Sequence, residues 1–181
     1  MIMAKKVVVL SGSPRKGGNS ELLCDEFIRG ATEKGNQVEK IFVCDKTINY
    51  CTACDACQGN GGRCVQKDDM AEILDKMISA DVIVMATPVY FYTMNAQMKT
   101  VIDRTYARYT AVSNKEMYFI MTAAVGNKTL LKRTLESLRG FTACLTGAKE
   151  KGVIYGTGAW NKGDIKKSPA MAQAYEMGKN V

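Results

Sequence analysis

The chain has 181 residues, of which 46% are hydrophobic and 24% charged, with a formal net charge of +7. That length suits one domain with a substantial core, and no run approaches the roughly 18 apolar residues of a membrane span. The basic residues are scattered, with no arginine-rich run interleaved with aromatics, so a solvated surface and no nucleic-acid partner is expected; the absence of histidine excludes imidazole catalysis and histidine metal sites.

In chain order, Met1–Lys6 leads straight into an apolar strand, Val7–Ser11. No signal-peptide core precedes it, so a cytoplasmic location is expected, with the seven thiols kept reduced. Residues 11–20 then read Ser-Gly-Ser-Pro-Arg-Lys-Gly-Gly-Asn-Ser. This turn gathers backbone N–H groups, hydroxyls and one guanidinium at one point, which suits a phosphate. Gly12 and Gly17 have the Walker A separation, but Gly18 and Asn19 stand where Lys and Ser/Thr belong. Pro14 breaks the dinucleotide pattern Gly-x-Gly-x-x-Gly. What remains suits one terminal phosphomonoester. Ser11, Ser13 and Ser20 offer O–H donors and Asn19 an N–H donor. Arg15 can neutralise the dianion with a bidentate bond. The plainer alternative is a strand–helix turn capped by Asn19 or Ser20.

Glu21–Lys34 reads as an amphipathic helix closed by Gly35-Asn36. Gln37–Val43 is a second strand, and residues 44–68 form a long cysteine-bearing loop. Asp69–Ser79 is a helix, because Met70, Ile73, Leu74, Met77 and Ile78 recur at helical spacing. A third strand starts at Asp81 and runs through Ala86. The following loop, Thr87–Asn95, sets Tyr90, Phe91 and Tyr92 beside Pro88 and Val89. Such residues make flat apolar walls for a planar heteroaromatic ring, or else pack in a core or an interface. Asn95–Arg104 is a helix and Met117–Ala123 a fourth strand. Thr122–Asn127 is a loop of small residues that lets a backbone approach a ligand, or is a simple turn. Leu130–Leu145 is helical, Gly152–Tyr155 is a fifth strand, and Ser168-Pro169 caps a last helix to Gly178. The glycine-rich stretch Tyr155–Asp164, with the lone Trp160, reads either as a cap on a neighbouring subunit's site or as a surface turn.

Five strands alternating with five helices predict one α/β domain over residues 1–181, a parallel sheet covered on both faces. The ligand is expected at the carboxyl ends of the strands. Cys51, Cys54 and Cys57 at x2 spacings, then Cys64, form a compact run able to wrap a 4Fe–4S cluster. Structural zinc more often takes two separated pairs, and the thiols could also simply pack. Cys24, Cys44 and Cys144 read as core thiols.

Together Ser11–Ser20, Asp68-Asp69-Met70, Ala86–Tyr90 and Gln97–Arg104 resemble the NADPH-dependent FMN reductase family of flavodoxin-like proteins, and within it the iron–sulfur flavoproteins. The resemblance is good over about residues 5–125 and loose beyond. It implies a flavodoxin-like sheet of five strands, with Ser11, Ser13, Arg15, Asn19 and Ser20 on the FMN phosphate. Pro88, Val89, Tyr90, Phe91 and Tyr92 would hold the isoalloxazine, and the 122–127 loop, with Thr122 and Gly126, its other edge. Cys51, Cys54, Cys57 and Cys64 would carry a 4Fe–4S cluster in the iron–sulfur branch. The implied activity is an FMN-dependent NAD(P)H oxidoreductase, with NAD(P)H as transient hydride donor and free flavin, quinones or nitro- and azo-aromatics as acceptors. No catalytic side chain is assigned. The alternative is an electron carrier with FMN and a 4Fe–4S cluster, exchanging electrons with a ferredoxin-like protein; a third reading is a non-redox binder of phosphate ligands. The resemblance also implies a homodimer or homotetramer.

Overall fold

The computed structural model describes residues 4–181. The first strand, β1 (Lys6–Ser11), is buried along all but its first residue, as its run of three valines and a leucine dictates. It feeds helix α1 (Asn19–Glu33). The helix ends in a Schellman turn. The Gly35 N–H donates to Thr32 O and the Asn36 N–H to Ala31 O, with Gly35 at φ +96°.

The chain continues through β2 (Gln37–Phe42), the short helix α2 (Ala56–Gly59) and α3 (Met70–Ser79). After these come β3 (Val82–Tyr90), the two-residue β4 (Thr93–Met94) and α4 (Ala96–Arg104). The remaining elements are β5 (Glu116–Thr122), α5 (Lys132–Ala143), β6 (Lys149–Gly156) and α6 (Ala170–Lys179). The parallel strands lie in the order β2-β1-β3-β5-β6, with β4 added antiparallel to β3. The five expected parallel strands are therefore present, and β4 makes a sixth. This is the flavodoxin-like order, in which the chain reverses direction across the sheet beside β1 and β3.

Alternation along each strand divides the core in two. Val8, Leu10, Ile83, Met85, Phe119 and Met121 pack with α3, α4 and α5 on one face. Val7, Val9, Val84, Ile120 and Ile154 pack with α1 and α6 on the other. Each fully buried side chain of this size contributes about 1.5–3 kcal/mol by leaving water. On the second face α1 and α6 cross closely at two glycines. A Cβ at Gly30 would overlap the Tyr175 carbonyl, and one at Gly178 the Phe27 carbonyl.

Both outer strands are irregular or charged. On β6 the register with β5 slips between Met117 and Tyr118, so Glu150 and Gly152 are paired and Lys151 is skipped. On β2, Glu39 is bound by Lys76, and Lys40 by Glu21 and Asp25.

Several sequence expectations need adjustment: the last strand spans Lys149–Gly156 rather than Gly152–Tyr155, the first helix begins at Asn19 rather than Glu21, and the expected 44–68 loop carries the short helix α2. The third strand does not stop at Ala86 but runs to Tyr90. Beyond Ser11 its β1 neighbour has ended, so Pro88 sits where a strand tolerates a missing N–H. The helix expected from Leu130 begins at Lys132, after a tight turn over Lys128–Leu131. Cys24 is a core thiol, pushed up to about 12 by burial and therefore inert. Cys44 is half-buried, and Cys144 is exposed at the end of α5 rather than in the core. No helix is long and apolar enough to cross a membrane among the described residues.

Candidate functional site

The carboxyl edge of the sheet opens into a cleft of about 920 Å³, a size that suits a cofactor. One end is polar and formed by the turn after β1. There the Ser13 hydroxyl accepts the Arg15 N–H at 3.2 Å, which folds the turn on itself. The Gly17 N–H donates to Glu21 Oε2 at 2.5 Å. Helix α1 opens on Gly18, which has no side chain to cap it. Its first N–H groups consequently face outward at the positive end of a 15-residue helix. Ser20 is buried and shares a 2.5 Å hydrogen bond with Thr122 at the end of β5.

The other end is apolar. Past Ala86, β3 pairs with β4 through Val89–Met94 and Tyr90–Thr93. The two residues between, Phe91 and Tyr92, have φ of 49° and 64°. Positive φ at both central residues marks a type I′ hairpin turn, which Asn-Gly makes cheaply and two aromatics do not. The strain is braced: Thr134 donates to the Tyr92 carbonyl at 3.0 Å, and the Arg133 guanidinium lies 5.9 Å from the Tyr92 ring. Phe91 is fully exposed at the tip. Pro88, Val89, Tyr90 and Phe91 form this wall of the cleft.

Of the twelve residues expected around a flavin, Ser13, Arg15, Asn19, Ser20, Pro88, Val89, Tyr90, Phe91 and Thr122 line the cleft. Three lie elsewhere. Ser11 is fully buried, and its hydroxyl has no hydrogen-bond partner among the described residues. Tyr92 turns toward α5, and Gly126 lines a separate depression with Lys128 and Tyr155. Asn19 lines the cleft, but its amide is fully engaged within the chain. Its Nδ2 donates to Ala159 O and Asn161 O at 3.2 and 2.8 Å. Its Oδ1 accepts the Gly163 and Ile165 N–H groups at 3.0 and 3.3 Å. Asn19 thus fastens the loop after β6 to the start of α1.

That loop, read from the sequence as a cap on a neighbouring subunit's site or a surface turn, places Ala159, Trp160 and Lys162 as a wall of the cleft in their own chain; Ala159 and Lys162 were not singled out from the sequence. Arg15 Nη1 donates to the Trp160 carbonyl at 3.4 Å, and Asp164 accepts the Trp160 and Asn161 N–H groups. Asn95 was also missed. Its buried side chain donates to Gly12 O, and its Oδ1 accepts from Thr87 Oγ1 at 3.0 Å. The loops after β1 and β3 are so held at fixed separation, beneath the cleft floor.

The donor set fits FMN: a cationic, N–H-rich end for a phosphate and a flat apolar end for a ring. The cysteines do not fit a cluster as they are folded. Cys51 and Cys54 are exposed, Cys57 is buried and Cys64 half-buried. No three His, Cys, Asp or Glu side chains converge to hold a metal ion among the described residues. What is organised there is an ion pair. Arg104 and Asp68 are both buried and joined by two bonds, 2.6 and 2.9 Å. Arg104 also donates to Asn49 O at 2.6 Å and approaches Cys64 Sγ at 3.6 Å. One side chain from α4 therefore staples both ends of the cysteine loop. Burial pushes the Asp68 carboxyl up, but the Arg104 guanidinium and the Asn49 and Met70 N–H groups outweigh it and hold it below its usual 3.8.

Known proteins share this chain's family and fold. A family model described as NADPH-dependent FMN reductase matches residues 5–153. An iron–sulfur flavoprotein of Archaeoglobus fulgidus is 43% identical over 99 residues, covering 55% of this chain and 44% of that protein. An iron–sulfur flavoprotein of Methanocaldococcus jannaschii is also 43% identical over 99 residues, covering 55% and 51%. The chain thus spans about half the length of the curated relatives it matches. Among solved structures, an FMN-dependent NADH-azoreductase of Bacillus anthracis in complex with FMN superposes with a TM-score of 0.75 at 16% identity, over 97% of this chain and 98% of that one. An NAD(P)H:quinone oxidoreductase of Methanothermobacter marburgensis gives 0.76 at 14% identity, over 98% and 97%. At such identities these two likenesses speak for the fold. With the family model spanning most of the sequence, the chain belongs to the NADPH-dependent FMN reductase family.

Proposed function

We propose that the cleft holds FMN and that the protein is an NAD(P)H-dependent oxidoreductase, passing electrons from a nicotinamide to a small acceptor such as free flavin, a quinone or a nitro- or azo-aromatic. The observation that carries this reading is the polarity of the cleft, with Arg15, Ser13 and Ser20 at one end and Pro88, Val89, Tyr90 and Phe91 at the other. Bound FMN would supply the chemistry, accepting a hydride and releasing electrons onward. The chain's own part is to bind, orient and shield. Arg15, the hydroxyls and the open first turn of α1 hold the phosphate. The hairpin aromatics wall the ring and exclude water from one side. Asn95 and Thr87 keep the two loops at a fixed spacing. No histidine exists to shuttle protons, in keeping with chemistry that resides in the cofactor.

Titration of the full chain with FMN, followed by steady-state oxidation of NADH and NADPH with a quinone or azo dye, tests the proposal. One FMN per chain and sustained turnover is the expected result. Flavin binding without nicotinamide oxidation would leave a carrier, and no flavin binding would remove the proposal altogether.

A second reading is favoured by the names of the relatives, iron–sulfur flavoproteins in both cases, and by the compact run Cys51, Cys54, Cys57 and Cys64. It makes the protein an electron carrier with a 4Fe–4S cluster beside FMN and a ferredoxin-like partner. The dispersed thiols weigh against it, since the loop would have to close around the metal. Iron and acid-labile sulfide in protein purified without oxygen decide: four irons per chain support the carrier, and none leaves the loop structural. We further propose a homodimer or homotetramer, supported by the fully exposed Phe91 beside the half-exposed Tyr90 and Tyr92, with light scattering as the test. Cysteine usage supports a cytoplasmic setting.

A further inference from the structure

The cations around the first loop fall into two groups. Those outside the cleft are neutralised, and so is one that lines it, Lys99. Lys16 pairs with Asp45 at 2.8 Å, Lys40 with Glu21 and Asp25 at 3.0 and 2.6 Å, and Lys99 with Asp103. Arg15 and Lys162, which both line the cleft, have no carboxylate partner among the described residues. The position of Lys162 is specific: a Cβ on Gly17 would lie 3.0 Å from its Cε and 3.1 Å from its Nζ. The ammonium therefore rests against the glycine turn that opens α1. It is brought there by Asn19, whose amide accepts the Gly163 N–H and donates to Asn161 O on either side of it. A residue of the first loop thus holds in place a lysine that lies far along the sequence. Two cations that line one cleft with no carboxylate partner among the described residues favour an anion there.

We propose that Lys162 is the second phosphate-binding cation of this site, and that Asn19 acts as its positioning residue. Together they make the site choose a flavin that carries a phosphate over riboflavin, which has the same ring and no phosphate. The proposal rests on reading the cleft as an FMN site. It changes the role of Asn19: its amide is engaged with the loop after β6, and its contribution to phosphate binding passes through Lys162.

The test is titration of the full chain with FMN and, separately, with riboflavin, followed by flavin fluorescence. Wild type is compared with Lys162→Met, Lys162→Arg, Asn19→Ala, the double variant Asn19→Ala/Lys162→Met, and Lys149→Met as a charge-matched control at the far edge of the sheet. Lys162→Met is expected to weaken FMN binding about tenfold, the loss of one charge-assisted contact at an exposed site. Riboflavin binding should stay within about twofold, Lys162→Arg should recover most of the FMN affinity, and Lys149→Met should change neither. Asn19→Ala should resemble Lys162→Met, and combining them should add little, since coupled residues are not additive. Unchanged FMN affinity in Lys162→Met, or equal loss of FMN and riboflavin, overturns the role of Lys162. Full additivity in the double variant overturns the positioning role of Asn19. A wild-type chain that binds neither flavin removes the underlying FMN reading instead, a result distinct from all of these.

Discussion

The cleft and the cysteine loop are built on opposite terms. In the cleft, the fold organises the donors and leaves them open: the first turn of α1 is uncapped and Arg15 meets only a carbonyl. In the cysteine loop, the fold organises the scaffold and not the thiols. Both terminal nitrogens of Arg104 are engaged with Asp68, Asn49 and Cys64, while Cys51 and Cys54 remain in solvent. A ligand entering the cleft would meet groups already gathered there, whereas a metal entering the loop would have to gather its own ligands. The difference teaches that a parallel sheet pre-forms what lies at its strand ends, while a long insertion needs an internal staple even to keep its path.

The sharpest way to break this contrast is to remove the staple. Arg104→Met leaves the Asp68 carboxylate buried and unpaired, and is expected to cost about 3–5 kcal/mol in urea unfolding. Arg104→Met combined with Asp68→Leu should recover much of that loss. The same pair sets an acid limit. The Asp68 carboxyl lies below its usual 3.8 in the folded chain. Its stabilisation is therefore complete above that value and fades as pH falls through the lower, folded one. The stability gap between wild type and Asp68→Asn should stay flat from about pH 5 to 8 and close under acid. On the cleft side, Arg15→Ala is expected to weaken FMN binding by about 1.5–3 kcal/mol, read by calorimetry, with little change in unfolding. An equal loss of stability would mean that the guanidinium is structural. The smallest effect is expected at the hairpin. Phe91→Asn with Tyr92→Gly supplies residues that accept the turn, and should stabilise the chain by about 1 kcal/mol in thermal unfolding while weakening FMN binding. Stability and affinity moving apart would identify the turn strain as part of the site.

Much of the architecture was legible because period and punctuation agreed. The valine run of β1, the helical stripe from Met70 to Met77 and the Gly35-Asn36 stop each have one physical reading, and each appears. The hairpin was not legible, since its turn is made by Phe91 and Tyr92, the reverse of the Asn-Gly signal. Asn19 was visible as a residue of the polar turn, but a sequence does not say that four hydrogen bonds already occupy its amide. Trp160 and Lys162 had a usable signal. Their glycine-rich segment follows a strand at the ligand-bearing edge, where each connecting loop is a candidate wall. The buried Arg104–Asp68 pair was not legible: both residues fall in segments that carry the family resemblance, but 36 residues separate them and nothing in either segment says that they meet.

The irregular outer strands have a consequence for how copies of this chain meet. A slipped register at Lys151 and a row of engaged charges along β2 spoil both borders of the sheet as templates for further strands. Fibre-like growth by edge addition is discouraged at both ends. Any association between copies would fall instead to side-chain surfaces such as the exposed aromatic hairpin, which offers contact area without recruiting backbone. In crowded surroundings such a molecule can present a sticky tip and still stay discrete.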